Sequence, residues 1–141
     1  MKTSARNELA GRVKRVTKGA VNSEVVLDLG GDDELVAIIT NASVENLALE
    51  AGVAAHALVK ASWVILAAHD AARTSARNHL CGVVEVVHDG AVNSEVTLKL
   101  AGGKRMTAIV TIESARELGL APGVRACALV KASHVVLAVM A

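Results

Sequence analysis

The heptapeptide GAVNSEV fills residues 19–25 and returns letter for letter at 90–96. The intervals Ser4 to Ser75, Gly19 to Gly90, Thr40 to Thr111 and Lys60 to Lys131 are all 71 residues. Roughly half of all positions match at that offset, so the 141 residues are one ungapped tandem repeat. Around the heptapeptide the pattern is that of strands. Val96, Leu98 and Leu100 alternate with Glu95, Thr97 and Lys99, as Val25, Leu27 and Leu29 do with their neighbours, which is the period of a half-buried strand. Leu9, Gly11 and Val13, matched by Leu80, Gly82 and Val84, alternate before it. LVAIIT and MTAIVT form a third run after a Gly-containing turn, and ALVKAS followed by WVIL or HVVL supplies two more.

Between the third and fourth runs, Val44 and Leu47, or Ala115 and Leu118, have the spacing of one face of a short helix, ended by Gly and, in the second copy, Pro122. The predicted fold is all-β with one short helix per repeat: two tandem OB-like five-stranded antiparallel barrels. The expected domains are 1–68 and 72–141, with a linker at 69–71 inside AAHDAAR.

Composition narrows the function. The chain is 52% hydrophobic and 21% charged, which indicates a folded rather than a disordered chain, and no apolar run is long enough to span a membrane. MKTSARNELAG lacks the apolar stretch of a signal peptide, so a cytoplasmic location is expected. A net charge of +1 and 1% aromatic residues argue against a nucleic-acid partner, which calls for a basic field and stacking platforms. Cys81 and Cys127 correspond to Ala10 and His56 and are expected to be reduced residues in or near the core. His56, His69, His79, His88 and His134 have no counterpart His, and neither HExxH nor a phosphate loop occurs, so no enzyme is predicted.

Matching apolar letters report a shared core, whereas matching polar letters need another reason. They cluster in TSARN, in GAVNSEV, in Thr40/Ser43 and Thr111/Ser114, and in LVKAS. Each Thr stands where an N-cap belongs, and Ser occupies the place where a capping box would put a carboxylate that repels anions. Lys60 and Lys131 are read as lying inside apolar strands, where an ammonium either snorkels to the surface as a solvated cation or needs a negative partner. With Arg6 and Arg77, these donors suit a compact tetrahedral oxyanion.

TSARN, GAVNSEV, the Thr-x-x-Ser at the helix start and VKAS before a strand resemble the molbindins, or Mop domains, in their two-Mop form, over nearly the whole chain. The resemblance implies a cytoplasmic protein for storage and homeostasis of molybdate or tungstate, assembled as a homotrimer, with anions at subunit interfaces and no cofactor or directly ligated metal. Carried over by position, one set of sites uses Ser4, Ala5, Arg6, Thr40, Ser43, Lys60 and Ala61. Its counterpart uses Ser75, Ala76, Arg77, Thr111, Ser114, Lys131 and Ala132. A second kind of site involves Val21, Asn22, Val92 and Asn93. A tight turn accounts for only the Gly of GAVNSEV, so the other letters are expected to serve anions or subunit contacts. The competing reading is an OB-fold nucleic-acid-binding or regulatory module.

Overall fold

The structure is a computed structural model in which residues 1–69 and 73–140 are described. The expected linker therefore lies outside the described residues except for His69, and Ala67 and Ala68 of AAHDAAR belong to a strand.

The first repeat forms β1 (Asn7–Lys18), β2 (Asn22–Gly30), β3 (Asp33–Thr40), α1 (Asn41–Asn46), β4 (Ala54–Val59), a 3-10 turn at Ala61–Trp63 and β5 (Ile65–Ala68). The second forms β6 (Asn78–Asp89), β7 (Asn93–Leu100), β8 (Arg105–Thr111), α2 (Ile112–Glu117), β9 (Arg125–Val130), a 3-10 turn at Ala132–His134 and β10 (Val136–Ala138). Five strands with a short helix after the third are thus present in each copy. Each first strand approaches its neighbour so closely that a Cβ at Gly11 would stand 2.6 Å from the Asp28 carbonyl oxygen, and one at Gly82 2.1 Å from that of Lys99. Just beyond, a register shift between Val13 and Arg15, and between Val84 and Val86, bends the long strand.

The strands do not stay within their own repeats. One antiparallel sheet runs β10-β4-β1-β2-β3 and the other β5-β9-β6-β7-β8, so each five-stranded sheet takes an edge strand from the other copy. Leu137 faces Ala57, and Leu66 faces Ala128, in the two exchanged pairs. Five strands closing within one repeat is the simplest reading of the alternation, because periodicity identifies a strand but not its partner. The exchange buries Leu66 and Leu137 in a continuous core with Leu27, Leu35, Leu98 and Met106.

Equivalent residues meet one another across the molecule. Trp63 and His134, 71 positions apart, have ring centroids 4.8 Å apart, and a Cβ on Gly31 would come within 2.5 Å of the Cα of Gly102. A residue touches its own repeat mate only on an axis that relates the copies, so an internal pseudo-twofold passes through both points. Two buried asparagines fasten it. Asn78 donates from Nδ2 to the Val36 carbonyl (2.8 Å) and accepts from the Val36 N–H (2.7 Å). Asn7 makes the same pair with Thr107, at 2.8 and 2.7 Å.

The cysteines correct an expectation. Residues 81 and 127 stand directly opposite in the β6/β9 register, with Cα atoms 3.9 Å apart, and are joined as a disulfide. Their separation of 46 positions hid that register from the sequence.

Removing one asparagine leaves a partly buried N–H and a partly buried carbonyl of the opposite repeat without their partner. Asn78→Ala is expected to cost roughly 2–4 kcal/mol, measured by urea denaturation. A loss under about 0.5 kcal/mol would show that the clasp is dispensable.

Candidate functional site

The GAVNSEV letters are largely accounted for inside the chain, contrary to expectation. Val25 and Val96 are core residues, and Ser23 and Ser94 are buried, donating to Asn41 Oδ1 and Asp89 Oδ1. The Gly19 and Gly90 N–H groups donate to the carbonyls of Asn22 and Asn93, closing the turn. The carbonyls of Val21 and Val92 accept from Asn41 and Ile112 at the helix starts. The Glu has the most telling partner, because Arg77 donates to both carboxylate oxygens of Glu24 at 2.7 and 3.1 Å. Arg6 holds Glu95 in the same way at 2.6 and 2.5 Å. TSARN of one copy thus reads GAVNSEV of the other. Recurrence of an opposite-charge pair in both copies is the one signal of this contact in the letters, and it does not assign the partners.

These ion pairs shift titrations. The hydrogen bonds from Arg77 and Arg6 hold the Glu24 and Glu95 carboxyls below the usual carboxylate range, and the same bonds raise the guanidinium groups. The arginines are half exposed, so solvent screens both pairs.

The remaining donors divide between two cavities. An open cavity of about 250 Å³ is lined by Thr3, Ser4, Ala5, Leu58, Lys60, Trp63, His134 and Val136. Lys60 is exposed and follows β4, at the start of the 3-10 turn, rather than lying inside a strand. Lys131 is placed likewise after β9 and is exposed, so both ammonium groups are solvated and neither carries the cost of burial in a strand. Lys60 Nζ is 5.6 Å from the centre of the Trp63 ring, within cation–π range. Ala61 and Ala132 are buried beside the lysines, and the Ala5 and Ala76 N–H groups donate to Thr3 and Thr74.

A larger open cavity, about 570 Å³, brings Thr111, Ser114, Asn93 and the carboxylate-bearing Glu117 together with Ser62, Ile65 and Leu66 of the first repeat. Both helix starts are built alike. Thr40 Oγ1 accepts from the Ser43 N–H at 3.1 Å and donates to Ser43 Oγ at 2.8 Å, and Thr111 and Ser114 repeat both distances. The Thr proton is thereby committed, and the Ser O–H is left free to donate outward. Within one chain the first cavity does not include Thr40 or Ser43, and the second does not include Lys131 or Ser75. The residues predicted to act together are therefore split, and exposed Asn22 and Val21 lie beside the Thr40 end of β3.

An all-β chain of two strand-exchanging repeats, each closing a curled five-stranded sheet, defines a tandem OB-like pair. The TOBE domain family model matches residues 3–66 and 74–137, and the chain belongs to that family as two tandem copies. Among curated relatives, it is 52% identical over 139 residues to the molybdenum-pterin-binding protein MopA of Rhodobacter capsulatus. It is 50% identical over 139 residues to the molybdenum transport protein ModE of Azotobacter vinelandii. These alignments cover 98% and 99% of this chain but 52% of each relative, so the chain spans about half their length. Among solved structures it is similar to the cytoplasmic molybdate-binding protein ModG in a form with molybdate bound. That match has a TM-score of 0.94 and 50% identity, and covers 99% of this chain and 100% of that one.

Because Glu24 and Glu95 have lowered folded pKa values, their contribution is complete above the unfolded value of about 4.3 and is lost as pH falls below it. The double variant E24Q/E95Q is expected to lose less stability than the parent between pH 5 and pH 3 in urea titrations. Parallel losses would show that the two pairs contribute nothing.

Proposed function

We propose that this chain binds molybdate or tungstate without turnover, for storage and homeostasis of the oxyanion in the cytoplasm. The observation that carries the reading is the cavity beside Ser4 and Lys60, which offers hydroxyl and ammonium donors and no carboxylate. An ammonium with no hydrogen-bond partner among the described residues, next to a serine hydroxyl, attracts a dianion, and a carboxylate in the same wall would repel it. The molybdate-bound neighbour, alike over almost all of both chains, supports the same ligand class.

In this reading Ser4, Ala5, Lys60 and Ala61, with Ser75, Ala76, Lys131 and Ala132, supply one half of each site. Thr40 and Ser43, with Thr111 and Ser114, supply the other, and a neighbouring chain joins the halves. A homotrimer meets that requirement, and the open cavities of the single chain are consistent with it. Arg6 and Arg77 act as positioning residues, since Glu95 and Glu24 already occupy their guanidinium groups. Val21, Asn22, Val92 and Asn93 border a second kind of site, where exposed turns of several chains converge. Size favours molybdate and tungstate over the smaller sulfate. The second-copy sites are the weaker ones, because Glu113 replaces Ala42 beside the helix start.

A second reading, regulation, is favoured by one relative's name: the transcriptional regulator ModE of Yersinia pestis is 33% identical over 141 residues. It requires molybdate to alter DNA binding. The near-neutral charge and scarcity of aromatic residues give these residues little purchase on DNA.

Calorimetric titration with molybdate, beside sulfate and phosphate at equal ionic strength, tests the proposal. Molybdate is expected to bind tightly and the controls weakly. Lys60→Ala is expected to weaken its sites by roughly 2–5 kcal/mol once a partner chain covers the ion pair. No heat from folded, anion-free protein would overturn the reading, and unchanged affinity in the variant would remove Lys60 from the site.

A further inference from the structure

The disulfide belongs to one repeat only, since Ala10 and His56 hold the equivalent positions of the other sheet and face each other there. Its surroundings contain a third ligand. His69, just after the exchanged strand β5, brings a ring nitrogen to the same place, and the ligand atoms of His69, Cys81 and Cys127 all lie within 4.8 Å of one another. The Cys127 sulfur is also 3.7 Å from the His69 carbonyl oxygen. Two sulfurs and an imidazole are the donor set of a thiophilic d¹⁰ cation, and the cluster contains no carboxylate that would suit a harder ion.

We propose that Cys81, Cys127 and His69 form a redox-gated zinc(II)-type site that the disulfide closes. A dithiol reductant supplies two electrons and two protons. Its thiolate attacks the Cys81 sulfur and Cys127 leaves as the first thiol; the reductant's second sulfur then attacks its own sulfur in the mixed disulfide, releasing Cys81 as the second thiol and closing the reductant to a cyclic disulfide. The divalent cation then displaces both thiol protons to solvent. Two thiolates balance its charge, the His69 imidazole supplies a third donor, and one position stays open. The neutral assembly suits the full burial of Cys127, where an unbalanced charge would be costly.

Access is provided on the Cys81 side. An open cavity of about 310 Å³ there is lined also by Lys99 and Arg125.

The whole chain, reduced with a dithiol and desalted without oxygen, is titrated with cobalt(II) and then competed with zinc(II). The expected result is one cobalt per chain with a thiolate-to-cobalt charge-transfer band, displaced by zinc and absent from the oxidised protein. Cys81→Ala, which copies the Ala10 of the other sheet and so preserves packing, is expected to abolish the band. His69→Ala is expected to weaken binding roughly tenfold. No band in the reduced protein, or equal binding by reduced and oxidised protein, would overturn the site, and unchanged affinity in His69→Ala would remove the imidazole from it.

Discussion

The reciprocal clasp of Asn7 and Asn78 is the contact on which the rest of this architecture depends. Each side chain is almost wholly buried and spends its amide on the backbone of the other repeat's third strand. A buried amide has no cheaper alternative partner, so the two copies are held in a single relative position. That position delivers β5 and β10 to foreign sheets, brings Trp63 against His134, and sets Arg6 and Arg77 opposite Glu95 and Glu24. A repeat of about 70 residues builds only a modest core of its own. Exchange of edge strands joins two such cores and covers two edges that would otherwise be open to aggregation.

Much of this was legible in the letters. Alternation through Val25, Leu27 and Leu29 located strands, and Thr40 and Thr111 were correctly placed as N-caps, each accepting from the N–H three residues on. The failures share one cause, which is that period and propensity describe a segment without naming its neighbour. Strand exchange, the Arg–Glu pairs and the Cys81–Cys127 register all join residues far apart in sequence. Lys60 was misplaced for a related reason: LVKAS reads as a continuous strand, yet the chain turns at Lys60, where the Trp63 N–H reaches back to its carbonyl. The repeated heptapeptide misled in the other direction, since letters that seemed free of structural duty hold buried hydroxyls, turn carbonyls and an ion pair.

The two copies are nonetheless not equivalent around the pseudo-axis and the helix starts. Trp63 and His134 share one point of the pseudo-axis but offer different chemistry, a large apolar face on one side and an imidazole on the other. Glu113 adds an acidic residue to the first turn of α2, and the first turn of α1 has none. The cysteines occur in one sheet alone. A fold held by reciprocal contacts tolerates such divergence, because the residues that differ lie outside the clasp.

The central functional claim is that donors separated within one chain are united between chains. Anomalous diffraction from crystals grown with tungstate tests it most directly, since tungsten marks each anion without reference to the protein. The account predicts tungsten peaks at contacts between chains, each flanked by a Ser4/Lys60 or Ser75/Lys131 set from one copy and a Thr-Ser helix start from another. Peaks enclosed by a single chain, or none beside these residues in crystals that contain bound tungsten, would contradict it.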